Sequence, residues 1–143
     1  MKKKLNCVLL IDDDEPTNFL SHMVVEEAAC TNAIQVAISS KQALDYLTNQ
    51  GDFAHTRKNY PRPELIFLDI NMPAMNGWEF LEKYSELEKG YKGNIIIIML
   101  TTSLNPDDRL KSERIPQVSG FEHKPLTEGK LDNILKKYLP EYC

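Results

Sequence analysis

Leu65-Ile66-Phe67-Leu68-Asp69-Ile70-Asn71-Met72-Pro73 is the stretch from which the fold can be read. Four apolar residues run into one aspartate, and a turn follows at once. A short unbroken apolar run bounded by turn signals reads as a strand buried on both faces. Asp69 then stands at the C-terminal end of that strand. In open α/β sheets this is the edge where ligands bind. One carboxylate there is either solvated at the rim or held for chemistry, and the rest of the chain must decide.

Working outward, the same grammar recurs. Leu5 to Ile11 reads as an earlier buried strand, and it stops at Asp12-Asp13-Asp14-Glu15. Pro16 suits the first turn of a helix, with Asp14 as its cap. That helix is expected to reach Ala29 and to present Phe19, Leu20, Met23, Val24 and Ala28 as one apolar face. Ile34 to Ile38 is a second strand. Ser39-Ser40 caps a helix with Ala43, Leu44 and Leu47 inward, which Asn49-Gln50-Gly51 ends. Residues 51 to 63 are polar and basic and read as a long surface loop. Its Arg57, Lys58 and Arg62 are expected to be solvated rather than to bind a partner. Glu64 to Leu68 is the third strand.

Past Asp69, Met72-Pro73 and Asn76-Gly77 shape a loop, and Trp78 to Glu88 reads as a helix broken by Gly90 and Gly93. Asn94 to Leu100 is rich in β-branched Ile and is expected at the centre of the sheet. Asn105-Pro106 opens a fourth helix. Gly120 to His123 is a less apolar strand, expected at an edge. Thr127 caps a last helix through Leu131, Ile134, Leu135 and Leu139. Five strands alternating with five helices imply an α/β fold: a doubly wound parallel sheet with right-handed crossovers.

Bulk composition narrows the function. The chain has 143 residues, enough for one domain with a sizeable core. It is 42% hydrophobic and 27% charged, as expected of a globular protein. A net charge of −4 gives no general attraction to nucleic acid. No apolar run is long enough to span a membrane. The basic start, Met1-Lys2-Lys3-Lys4, is followed by too short an apolar run for an export signal. Cys7, Cys30 and Cys143 show no metal or redox spacing. Cys7 is expected in the core and Cys143 at a frayed end, and a reducing cytoplasm is the simplest location.

A parallel sheet sends all its strand ends to one edge. That edge would gather Asp12, Asp13 and Asp14, then Asp69, then Thr101-Thr102-Ser103, then Lys124. Each alone has an ordinary explanation: a cap, a turn residue, a surface charge. Together they put at least three carboxylates in one space with a hydroxyl and an ammonium. Carboxylates that close raise one another's pKa values. A hard divalent cation such as Mg²⁺ relieves this with oxygen ligands. A lysine and a hydroxyl could then hold the remaining oxygens of a phosphoryl group, with an aspartate as nucleophile.

Leu10-Ile11-Asp12-Asp13, Leu68-Asp69-Ile70-Asn71-Met72-Pro73 with Asn76-Gly77, Leu100-Thr101-Thr102, and His123-Lys124-Pro125 are motifs of a known family. By them the chain resembles the receiver domain of two-component response regulators, in the stand-alone form of the chemotaxis regulators, over nearly all its length. The resemblance implies a flavodoxin-like fold with strand order 2-1-3-4-5 and a single receiver domain over residues 1–143 without an output domain. It implies that Asp69 accepts a phosphoryl group from a histidine kinase or histidine phosphotransfer protein. Asp12 and Asp13 would hold Mg²⁺ (or Mn²⁺) with Asp69 and the backbone carbonyl of Asn71. Thr101 and Lys124 would bind phosphoryl oxygens, and the peptide before Pro125 would be cis.

On phosphorylation Thr101 would move toward Asp69, and Phe121 would turn inward as the aromatic switch. The changed face would be that of the fourth helix, fifth strand and fifth helix, read by an unknown downstream protein. Such a chain is no enzyme beyond its own phosphorylation and dephosphorylation. Asn71 and Ser103 match positions that tune phosphoryl lifetime. Ser103 is too short to orient water, and Thr102 is bulkier than the family norm, so slow to moderate dephosphorylation is expected.

Two other readings compete. A phosphatase of the haloacid dehalogenase type shares the sheet, the cation and the acyl phosphate. It wants an acid two residues after its nucleophile, where this chain has Asn71, and it usually carries a cap. A phosphorylation-independent interaction module is the other, and the intact site argues against it. Pro140 to Cys143 does not read as a linker, so a natural stop is expected. Leu139 and Tyr142 either extend a homodimer interface or pack within the chain.

Overall fold

Strand burial follows the apolar runs. In the computed structural model, which describes residues 3–54, 60–87 and 94–142, five strands form one sheet. They are β1 (Val8–Ile11), β2 (Ile34–Ala37), β3 (Leu65–Leu68), β4 (Ile96–Thr101) and β5 (Val118–His123). Every residue of β1 and β3 is buried, whereas β2 and β5 are mostly half-buried. This is the difference between interior and edge strands in a parallel sheet covered by helices.

The order is β2-β1-β3-β4-β5, and all pairings are parallel. The expected strand order is therefore observed, with β5 at an edge. One expectation fails: the centre is β3, not the isoleucine-rich β4. Both strands are interior, so apolar content could not rank them. The strands are also shorter than their apolar runs. Leu5 leaves β1 but stays buried and forms an isolated bridge with Thr31.

Among the described residues the α-helices are α1 (Glu15–Ala28), α2 (Ser40–Thr48), α3 (Gly77–Ser85), α4 (Pro106–Glu113) and α5 (Glu128–Tyr138). Their starts were written in the sequence. Asp14, Ser39, Asn76, Asn105 and Thr127 each accept a backbone N–H of the first turn. Alternate strand residues feed two cores. Leu9, Ile11, Ile66 and Leu68 meet Ala43 and Leu47 of α2 and Phe80 and Leu81 of α3. Val8, Leu10, Leu65 and Phe67 meet Val25 of α1 and Leu131, Ile134 and Leu135 of α5. Leu139 is buried and Tyr142 packs against the same core, so both act within the chain.

The phase of α1 differs from expectation. Val24 and Ala28 pack against the core as expected, but Phe19, Leu20 and Met23 are 66%, 52% and 42% exposed, while Asn18, Ser21 and Val25 are buried. The cap explains it. Asp14 anchors the helix start, and Asn18 Nδ2 then donates to the Asp12 carbonyl at 2.7 Å, which turns the polar side toward the sheet edge.

The 51–63 loop is also more structured than expected. Gly51–Phe53 is a short 3-10 helix, and the rings of Tyr46, Phe53 and Tyr60 meet edge-on. Arg62 is not simply solvated. It donates to the carbonyls of Leu47 and Tyr46 at 2.5 and 2.9 Å and so closes the C-terminus of α2. Cys7 is buried and free, as expected, whereas Cys30 is disulfide-bonded, which the wide cysteine spacing did not announce. The expectations for Arg57, Lys58, Glu88, Gly90, Gly93 and Cys143 fall outside the described residues. Among the described residues no helix is long and apolar enough to cross a membrane.

Candidate functional site

Register builds the site. Ile11 of β1 pairs with Leu68 of β3, so Asp12 and Asp69 are the next residues on neighbouring strands. The Asp69 N–H donates to the Ile11 carbonyl at 2.9 Å, which continues the ladder one step into the site. Leu68 pairs with Met99, and Thr101 closes β4 two residues later. Thr101 pairs with His123, which sets Lys124 just past the end of β5. The Lys124 N–H donates to the Thr101 carbonyl at 2.8 Å. Four strand ends thus deliver Asp12, Asp69, Thr101 and Lys124 to one edge.

All four are shielded from solvent. Asp12 and Asp69 are each 5% exposed, and Thr101 is fully buried. The Lys124 ammonium lies 2.5 Å from Asp12 Oδ2 and 3.2 Å from Asp69 Oδ1. The second carboxylate oxygen of Asp12 accepts the Asp14 N–H at 2.9 Å. Asp13 lies at the exposed rim, yet one oxygen each of Asp12, Asp13 and Asp69 fall within 4.8 Å of one another. Asn71, two residues past Asp69, is exposed. The Lys124-Pro125 peptide is cis.

Charge is not balanced in this cluster. Burial raises the Asp69 pKa, and the Asp12 carboxylate raises it further; Lys124 opposes both. For Lys124, burial works against the ammonium, but the hydrogen bonds and charges of Asp12 and Asp69 outweigh it and raise its pKa. One ammonium therefore serves a group of carboxylates too crowded for it. An oxygen-ligated divalent cation suits that donor set, which contains no thiolate or imidazole.

Thr101 and Phe121 lie on neighbouring strands, Thr101 at the end of β4 and Phe121 within β5. Thr101 Oγ1 accepts the Ser103 N–H at 3.0 Å, so its hydroxyl is held toward the following loop. Ser103 in turn donates its hydroxyl to the Asp108 carboxylate on α4. Phe121 is half-buried, with its ring edge-on to His123 and the Arg109 guanidinium 5.1 Å from its centroid. Gly77 starts α3 against the backbone that carries Asp69. A Cβ on it would come within 2.4 Å of the Asp69 carbonyl oxygen.

Sequence reasoning missed two participants. Asn18 holds the Asp12 carbonyl, and Lys130 Nζ donates to the carbonyls of His123 and Pro125 on either side of Lys124. A polar residue one turn after the α1 cap was the available sign of the first. Nothing local marked the second.

Comparison with known proteins points to one family. The family model described as the response regulator receiver domain matches residues 8–136. Response regulator Rcp1 of Synechocystis sp. is 30% identical over 105 residues, covering 73% of this chain and 67% of that protein. A two-component response regulator from Cytophaga hutchinsonii superposes with a TM-score of 0.81 at 34% identity, covering 96% of this chain and 99% of that one. The Mn²⁺-bound form of Rcp1 is similar at a TM-score of 0.67 and 27% identity, over 92% of this chain and 90% of that one.

Proposed function

The chain belongs to the response regulator receiver domain family, and from that premise we propose that Asp69 accepts a phosphoryl group from a phosphohistidine of a histidine kinase or histidine phosphotransfer protein. The observation that carries this is the gathering of Asp12, Asp69, Thr101 and Lys124 at one shielded sheet edge. An Asp69 carboxylate oxygen attacks phosphorus as the P–N bond breaks, and the electron pair leaves with the imidazole nitrogen. The product is an acyl phosphate. Lys124 binds one phosphoryl oxygen and Thr101 another.

Asp12, Asp13 and Asp69, with the backbone carbonyl of Asn71, are the residues that would hold Mg²⁺ or Mn²⁺. The three carboxylates within 4.8 Å and the raised pKa of Asp69 support the fit. A solved relative, Rcp1, in its Mn²⁺-bound form adds to it. When bound, the cation offsets the negative charge of the phosphoryl oxygens. The protein's own part is to fix the acceptor oxygen and to exclude water.

Output is a protein contact rather than turnover. Thr101 gives up the Ser103 N–H, draws the β4–α4 loop toward Asp69, and frees space into which Phe121 turns. The face of α4, β5 and α5 changes and is read by a downstream protein. The incoming partner has a surface too. Phe19, Leu20 and Met23 are exposed on α1, and Leu20 lines a groove with Thr102, Lys124 and Pro125. An apolar rim beside the acceptor suits a helical partner that presents a phosphohistidine. The role suits the cytoplasm, although the disulfide at Cys30 is uncommon in a reducing compartment.

Intact mass after incubation with Mg²⁺ and acetyl phosphate tests the reading, with Asp69→Asn alongside. One phosphoryl group added to the parent and none to the variant is the expected result. Failure to take phosphoryl, together with failure to bind beryllofluoride, would overturn it in favour of a phosphorylation-independent interaction module.

A further inference from the structure

Lys124 is constrained through its backbone as well as its ammonium. The carbonyl one residue before it and the carbonyl one residue after it accept from a single group. Lys130 Nζ donates to His123 O at 2.7 Å and to Pro125 O at 3.1 Å. Lys130 belongs to α5, and its own N–H donates to the Thr127 cap at 3.2 Å. Two of the three donors of the ammonium are thus spent on backbone oxygens that bracket Lys124.

The position runs against local preference. A cation in the first turn faces the positive end of the helix dipole, where an acidic residue is favoured. The neighbouring Glu128 follows that preference, and Lys130 does not. What its ammonium gains is the pair of carbonyls. Charge-assisted bonds of this kind are stronger than neutral ones, and here they join the start of α5 to the turn that carries the phosphoryl-binding lysine.

We propose that Lys130 is a positioning residue: by tying the His123 and Pro125 carbonyls to α5, it fixes the backbone that aims the Lys124 ammonium, and so sets how tightly a phosphoryl oxygen is held. The inference rests on the reading of Asp69 and Lys124 given above. Lys124 reaches Asp12 and Asp69 along a flexible four-carbon stem, so its backbone must be fixed for its tip to be. Small misplacements of a group that meets the reacting atoms cost large factors.

A plain structural staple makes a different prediction. Removing a staple would weaken α5 packing, and all binding would fall with stability. Removing a positioning group would affect the phosphoryl oxygens alone. Mg²⁺ would be held by the carboxylates, and a Lys124 that is aimed less well would compete less for them.

The test is titration of Mg²⁺ alone, and of beryllofluoride at saturating Mg²⁺, on the parent chain, Lys130→Met and Lys130→Arg, with melting curves for all three. Lys130→Met should weaken beryllofluoride binding by about tenfold, with no fall in Mg²⁺ affinity. Lys130→Arg, which keeps the charge and the reach, should bind within about threefold of the parent. Beryllofluoride binding by Lys130→Met equal to the parent's would overturn the proposal. So would a loss of Mg²⁺ and beryllofluoride affinity together with stability. A parent chain that binds Mg²⁺ but not beryllofluoride would instead overturn the phosphoryl-site reading, and the positioning role with it.

Discussion

Asp69 carries its cost in its own protonation. Burial and the Asp12 carboxylate hold its pKa above the ordinary carboxylate range. The folded chain therefore keeps this proton to higher pH than the unfolded chain does. As pH rises from the ordinary value through the raised one, the unfolded state loses its proton more readily and stability falls. Asp69→Asn removes this pH dependence. In the absence of divalent cation the variant should be more stable than the parent at neutral pH by about 1 kcal/mol. The gap should shrink as pH drops toward the ordinary carboxylate range. Urea unfolding at the two pH values measures this, and equal stabilities at neutral pH would contradict it. Ser103 sets a second expectation. Its hydroxyl is already given to Asp108, and Thr102 stands exposed beside it. With no acid or amide at position 103 to orient water, the phosphoryl group should survive for minutes or longer. Decay timed by intact mass tests this, and a lifetime of seconds would refute it. Asp12, Asp69 and Thr101 were legible because each ends an apolar run that reads as a strand, and Lys124 because Pro125 ends a less apolar strand there. Asn18 and Lys130 were not, because their partners are backbone carbonyls fixed only by tertiary structure.

Helix starts were legible, and helix phase was legible in α2 and α5, where Ala43, Leu47, Leu131, Ile134 and Leu135 are buried as read, but not in α1. Asp14, Ser39, Asn105 and Thr127 were read as caps from their own chemistry and the residues after them, and the structure uses all four. In α1 the apolar residues were read as the buried face, yet Phe19, Leu20 and Met23 lie outside. Periodicity shows that one stripe is apolar; it does not say whether the protein's own core or a partner covers it. Arg62 shows the same limit from the other side. A basic loop residue looked solvated, but the end of α2 supplied carbonyls for it. At α3 the packing is tight enough to predict a failure. The Gly77 N–H donates to the Ile70 carbonyl at 2.8 Å, and a Cβ would collide with the backbone at Asp69 and Ile70. Gly77→Ala should cost about 1–3 kcal/mol and reduce phosphoryl uptake, because α3 must move away from the strand end that carries the acceptor. Thermal melting with parallel phosphorylation assays checks this. Unchanged stability would show that the helix start yields without strain.

Across the whole molecule, topology converts sequence order into a site. Alternation of strands and helices implies a parallel sheet, and a parallel sheet brings every strand's C-terminal end to one edge. Residues 12, 69, 101 and 124 are far apart in sequence and adjacent in space for that reason alone. The strand order came from family resemblance rather than from alternation, which does not distinguish one order from another. Apolar content also misled, since it favoured β4 as the centre where β3 stands. The central claim is that this edge makes Asp69 the phosphoryl acceptor. Reduction with borohydride after phosphorylation, followed by peptide mass mapping, tests it most directly, because an acyl phosphate is reduced to an alcohol at the residue that carried it. The account predicts the reduced side chain at residue 69 and an unmodified Asp12 and Asp13. Reduction at Asp12 or Asp13, or a phosphoryl group that resists borohydride altogether, would contradict it.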